Sequence, residues 1–161
     1  MSKPTALDIL KKAELLKPKV AILTSNTSSF QSTDTFEKAL VLHNNALAVK
    51  EGVDILIPDI RNVAQPISVA DGTKILNFFK ELQVSWNSVL EQTITKKPFF
   101  DALPVGNMTP LIRQDLRDMH ATLMTAANLL IDAAPAELQA EGRALHKAYE
   151  DTIKETMAVY Q

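Results

Sequence analysis

The sequence predicts an all-α protein, a single bundle of five helices. Apolar residues recur at steps of three and four along almost the whole chain, the signature of buried helix faces. No stretch alternates with a period of two for long enough to form a strand. Glycine is scarce, 4 in 161 residues, which disfavours turn-rich β folds and phosphate-cradling loops. The length suits one domain with a real core, and no repeat, low-complexity tract or linker divides residues 1–161.

The first helix is predicted from about Thr5 to about Phe30, with Ile9, Ala13, Leu16, Val20, Leu23 and Thr27 at helical spacing. Pro18 lacks a backbone donor, so a kink or break is expected there. A short loop at Gln31–Asp34 leads to the second helix, about Thr35 to Ile60, capped by Thr33, Asp34 or Thr35. One of its faces carries Phe36, Leu40, His43 and Leu47, and the other Ala39, Leu42, Ala46, Val49, Val53, Leu56 and Ile60. An apolar arc that wide implies deep burial or packing on two neighbours. Gly52 weakens this helix, and Pro58 bends its last turn.

After a connection at Asn62–Pro66, Ser68 starts the third helix, with Asp71 three residues on as a weak capping box. Its stripe is Ile75, Leu76, Phe79, Leu82, Trp86, Val89 and Leu90, and it closes at Lys96-Lys97 before Pro98. An irregular apolar loop follows, with Phe99, Phe100, Leu103 and Val105. Burying each phenylalanine is worth roughly 1.5–3 kcal/mol. The loop therefore reads as a plug on one end of the bundle or as a turn with ordinary core contacts. Thr109 is the predicted N-cap of the fourth helix, with Pro110 at its first position and Asp115 placed to suit the dipole. Its stripe is Ile112, Leu116, Met119, Leu123, Ala126 or Ala127, and Leu130. Ala134-Pro135 separates it from the fifth, about Ala136 to Tyr160, where Leu138, Leu145, Tyr149, Thr152, Ile153, Thr156 and Tyr160 share a face. Short connections make neighbouring helices antiparallel.

Composition excludes several function classes. Hydrophobic residues are 46% and charged residues 22%, as in a globular protein. With 17 basic and 19 acidic residues, the net charge of −2 carries no electrostatic footprint for nucleic acid. The absence of cysteine removes disulfides, thiol nucleophiles and cysteine metal sites. No run of 18 apolar residues exists, so no membrane span is expected. The start, Met1-Ser2-Lys3-Pro4, lacks the apolar core of a signal peptide, which leaves an intracellular protein or an excised domain. The sequons Asn26-Thr27-Ser28 and Asn107-Met108-Thr109 are compatible with secretion, although such triplets arise often by chance.

His43, His120 and His146 are isolated from one another, and none forms the i, i+4 pair of a helical zinc site. His43, on an apolar stripe, reads as a core histidine bonded to a neighbour; His120 and His146 read as surface residues. The carboxylate pairs Asp115 with Asp118, Glu137 with Glu141 and Glu150 with Asp151 lie among ordinary helix-surface charges. Asp115, Asp118, Arg113 and Arg117 read as one solvated face. No nucleophile elbow, P-loop or dinucleotide fingerprint occurs, so no enzyme, cofactor or metal site is predicted. Alanines on inner faces (Ala39, Ala46, Ala126, Ala127 and Ala148) leave room along the axis or draw the helices closer. Periodicity alone favours a packed core over a cavity.

The run KKPFFDAL and the stretch from Leu111 to the end resemble the C-terminal half of the fungal hydrophobic-surface-binding and cell-wall galactomannoprotein family. Lys96, Lys97, Pro98, Phe100, Asp115, Leu116, Ala134, Pro135, Glu137, Leu138 and Tyr160 carry the pattern. The N-terminal half fits more loosely through Ile9, Val20, Leu23, Phe30 and the segment Ala39-Leu40-Val41-Leu42-His43. The resemblance implies a secreted or wall-attached protein with a central apolar tunnel that holds long-chain fatty acids such as palmitic or arachidonic acid. It also implies a second family role, adsorption to hydrophobic surfaces and recruitment of hydrolases. This chain has few serines on its last two helices, where hydroxyls would meet a carboxylate; Thr122, Thr125, Thr152 and Thr156 are the nearest substitutes.

Stripes and resemblance together nominate a ligand set. Val20, Leu23, Leu40, Leu47, Phe79, Leu82, Leu116, Leu123 and Leu130 are the candidate tail contacts. Thr152, Thr156 and His43 are the candidate polar groups, because they interrupt apolar faces. The head group is expected near one end of the bundle. The competing expectation is a surface-adsorbing or protein-recruiting module with a filled core and an exposed Phe99-Phe100 loop.

Overall fold

A computed structural model of the chain describes residues 2–104 and 108–161. Val105 of the expected apolar loop and Asn107 of the second sequon lie outside the described residues. Eight helical segments form among the described residues: α1 Ala6–Ala13, α2 Leu16–Ser29, α3 Phe36–Asp54, α4 Leu56–Arg61, α5 Val69–Thr95, α6 Lys97–Asp101, α7 Met108–Ala133 and α8 Ala136–Val159.

Two of the five expected helices, the first and the second, are thus divided, a proline explains each division, and a third proline marks the break between α5 and α6. Pro18 is the third residue of α2, Pro58 the third of α4 and Pro98 the second of α6. A proline in the first turn forfeits no needed donor, whereas inside a continuous helix it would lose its bond and clash with the carbonyl four residues back. The chain therefore breaks just ahead of each proline and restarts. The break expected at Pro18 falls at Glu14 and Leu15, between α1 and α2. The expected irregular loop after Lys97 is instead the short helix α6, closed by Phe99 N–H and Phe100 N–H donating to Lys96 O.

Helix starts follow local chemistry. Thr5 and Asp8 make a full capping box, Asp8 N–H donating to Thr5 Oγ1 at 3.1 Å and Thr5 N–H to Asp8 Oδ2 at 2.8 Å. Thr35 caps α3, and Ser68 caps α5 through Asp71 N–H. Thr109 is not an N-cap. Helix α7 already begins at the buried Met108, and Thr109 Oγ1 donates to Asp101 Oδ1 at 2.7 Å.

The long helices form a closed ring. Helix α2 packs on α3, α3 on α7, α7 on α8, α8 on α5, and α5 back on α2. Helices α1 and α4 pack together against α5 and α7 at one end, while α6 covers the other end against α5 and α7. A ring of five rods leaves a bore about 0.7 of the interaxial distance, roughly 6–7 Å for helices 8–10 Å apart. Side chains must fill that bore or leave it open. Close approach tightens the seams: a Cβ on Gly72 would lie 2.8 Å from Leu138 Cδ1 and one on Gly52 2.6 Å from Leu16 Cδ2.

The α6 end is the better packed. Phe100 is buried and its ring lies 4.9 Å from that of Phe30. The Lys96 ammonium, itself buried, donates to Phe30 O at 2.8 Å and satisfies a carbonyl at the end of α2. Tyr160 is fully buried; its hydroxyl donates to Thr93 O at 2.6 Å, and its carbonyl accepts from Arg113 Nε at 2.6 Å. These contacts pin the end of α8 to α5 and α7. They also place the Phe100 side chain in the interior, so Phe99-Phe100 is no exposed aromatic pair.

Candidate functional site

Two cavities lie along the axis, with Trp86 in the wall of both. The larger, about 130 Å³, sits at the end covered by α1 and α4 and draws its lining from all five long helices. It nears the size of an engineered apolar cavity of about 150 Å³ that stays dry and binds benzene. On α5 the lining runs from Gly72 to Trp86, and on α8 from Leu138 to Tyr149. At 1.5 Å per residue those stretches are roughly 21 and 16 Å long. The wall is almost wholly hydrocarbon. Leu76, Phe79, Leu82, Leu123 and Leu130 line it while only half-buried, so apolar surface is left without side-chain partners.

The smaller cavity, about 70 Å³, lies toward α6 and has a polar wall element. His43 Nδ1 and Asp115 Oδ2 are 2.7 Å apart there. His43 is therefore the bonded core histidine that its stripe predicts. Asp115 does not belong to a solvated face: it points inward, and desolvation raises its carboxyl above the ordinary range, with the His43 hydrogen bond and charge opposing that rise. Arg113 likewise turns to the Tyr160 carbonyl.

The nominated ligand set divides between the cavities. Val20, Phe79, Leu82, Leu123 and Leu130 line the larger one, and Leu23, His43 and Leu116 the smaller. Leu40 and Leu47 line neither: of the two apolar faces of α3, the one carrying Ala39, Leu42, Val49 and Val53 is buried, and Leu40 and Leu47 are half-buried beside it. Thr152 and Thr156 also line neither. Their hydroxyls donate back into α8, Thr152 to Ala148 O and Tyr149 O and Thr156 to Thr152 O, as helix-interior threonines commonly do.

Sequence reasoning missed Trp86, Tyr149 and His146 as wall residues. Tyr149 OH donates to Phe79 O at 2.5 Å, and desolvation pushes its phenol well above the usual range. His120 and His146 are not simple surface residues. His120 Nε2 lies 3.3 Å from Glu150 Oε2 across the α7–α8 seam, and His146 Nε2 is buried without a partner in the wall of the larger cavity. The signal was in the spacing, since positions 138, 142, 145, 146 and 149 fall on one side of α8.

Among the described residues no three His, Asp or Glu side chains are grouped to hold a metal, and no helix is long and apolar enough to cross a membrane. Asn26 of the first sequon lies inside α2, its Nδ2 donating to Asn45 Oδ1 at 2.8 Å.

A family model described as hydrophobic surface binding protein A matches residues 8–133. Among curated proteins, none matches the chain. The fold is similar to that of AfMP4p, whose crystal structure is in complex with palmitic acid: the TM-score is 0.88 at 20% identity, covering 97% of this chain and 99% of that one. It is also similar to ligand binding domain 1 of the Penicillium marneffei MP1 protein, complexed with arachidonic acids, with a TM-score of 0.86 at 13% identity over 97% of this chain and 99% of that one. Ligand binding domain 2 of the same protein, complexed with multiple arachidonic acids, gives 0.83 at 14% identity over 94% and 92%.

Proposed function

We propose that this chain, which belongs to the hydrophobic surface binding protein A family, binds and sequesters long-chain fatty acids in the larger cavity without transforming them. One observation carries the reading: a hydrocarbon-walled cavity between five ring helices, partly open to solvent, whose lined stretches of α5 and α8 approach the length of an acyl chain. A sixteen-carbon chain extends about 20 Å, against roughly 16–21 Å of lined helix. It is about one carbon–carbon contact distance thick, roughly 4 Å, so one chain passes a bore of 6–7 Å. About fifteen methylenes at roughly 0.8 kcal/mol each give about 12 kcal/mol of gross transfer energy. Ordering the chain offsets much of this and leaves submicromolar affinity within reach. The similarity in fold to proteins in complex with palmitic and arachidonic acid supports the same ligand class. In this reading the protein works outside the cell or in a cell wall, holding free fatty acid.

The competing picture, an adsorbing module with a filled core, loses one motive where Phe100 is buried and keeps the other, the surface-binding role that the family's description carries. Gentle native mass spectrometry after exposure to palmitic acid tests the proposal. The expected result is a retained mass increment of one or more palmitic acid molecules. No retained lipid, with micromolar or weaker binding in titration, overturns it.

A further inference from the structure

Burial of the tail leaves the head group to be placed, since a carboxylate enclosed without a hydrogen-bond partner is costly. Among the described residues, three side chains in the wall of the larger cavity carry donors: Trp86, Tyr149 and His146. Tyr149 already gives its proton to Phe79 O. Trp86 Nε1 and His146 Nε2 are both buried and unpartnered. Buried polar atoms in folded proteins are nearly always paired, so an unpaired one on a residue of a cavity wall calls for a partner, which a ligand's polar group can supply.

We infer that His146 Nε2 is the contact for the carboxyl head group, a conclusion that rests on the fatty-acid reading above. An imidazole nitrogen donates to a carboxylate as the neutral Nε2–H tautomer or as the cation, and accepts from a neutral acid in the other tautomer. The indole of Trp86 offers only a neutral donor, at the junction with the smaller cavity. His146 feels the charge of Glu150 but makes no hydrogen bond with it. Glu150, one turn on along α8, is engaged by His120 of α7 at 3.3 Å and by Lys154 at 3.4 Å. Apart from Trp86 and Tyr149, the other wall residues are apolar, among them Met124 and Ala127 on α7, Leu145 on α8 and Phe79 on α5. The head group therefore sits within the bundle, beside the α7–α8 pair, rather than at one end among threonines.

The test compares palmitic acid with methyl palmitate, which has the same tail but no ionisable head group, on the full chain and three variants. The wild type is expected to bind palmitic acid. His146→Leu should weaken palmitic acid by about tenfold or more, the scale of a lost hydrogen bond to a charged group, and methyl palmitate much less. His146→Gln, which keeps a donor, should recover part of the loss. Trp86→Phe should leave the preference for acid over ester in place. Circular dichroism and thermal melting establish that each variant is folded. In a 15N-histidine spectrum, the His146 Nε2 resonance should shift on adding palmitic acid and not on adding the ester. Equal losses for both ligands, an unchanged acid affinity in His146→Leu, or transfer of the effect to Trp86→Phe overturns the assignment while fatty-acid binding stands. A wild type that binds neither ligand overturns both.

Discussion

The two ends of the bundle are made from the same long helices and use their inward positions differently. Toward α6, rings and paired polar groups crowd the interior around the smaller cavity: Phe30 on Phe100, Lys96 on the Phe30 carbonyl, Tyr160 on Thr93, His43 with Asp115. Toward α1 and α4, inward positions are leucines and alanines that face one another across open space. Rings and hydrogen bonds fix one end as a rigid closure, while branched aliphatic chains on a ring of five rods leave a slot. The division of labour is a packed cap that holds the helices apart in a defined ring, and a hollow end that takes a tail.

Substitutions that enlarge a side chain separate the two ends most sharply. Leu123→Trp fills the larger cavity and is expected to lower palmitic acid affinity by at least tenfold with helicity retained, as read by titration and circular dichroism. Leu116→Trp, at a buried position beside the smaller cavity, should instead destabilise the fold by about 1–3 kcal/mol through overpacking. Equal effects of the two on binding would dissolve the distinction. Phe100→Ala removes a ring from the packed end and should cost about 3–5 kcal/mol in denaturant unfolding, with ligand stoichiometry unchanged in the folded fraction.

Titration of the packed end gives a smaller, signed effect. Burial raises Asp115 above its ordinary value of 3.8, so the folded state holds that proton more tightly than the unfolded chain. Its contribution to stability is complete below 3.8 and is lost as pH rises through the elevated folded value. Asp115→Asn abolishes that dependence. The stability of the variant relative to the wild type should therefore be more favourable near neutral pH than near about pH 3, measured by thermal unfolding at both. A constant difference would mean that Asp115 titrates as an exposed carboxylate. Smallest of all, Tyr160→Phe should cost about 1 kcal/mol by leaving the Thr93 carbonyl without its hydroxyl partner.

Much of the fold was legible because periodicity reports which face of a helix is buried. The stripes of α5, α7 and α8 are buried or half-buried in the structure, and Pro18, Pro58 and Pro98 each sit beside a break in the helix. Periodicity does not report what stands opposite a buried residue. It could not tell the α3 face of Leu40 and Leu47 from the one that closes the ring, because both are apolar. Nor could it show that Leu123 lines the larger cavity while Met119, one turn earlier, is buried beside the smaller. Polar side chains were harder still. Thr152 and Thr156 interrupt an apolar face but satisfy themselves within their own helix, whereas His146 and Asp115 sit among charged neighbours in sequence and turn inward in space. A hydrogen bond made across 72 positions, as between His43 and Asp115, leaves no local pattern to read.

The most direct measurement is a crystal structure of the protein grown with palmitic acid. Continuous tubular density between the ring helices, along the wall from Gly72 toward Trp86, is the expected result. A bore closed by its own side chains, with no density for an acyl chain, would contradict it.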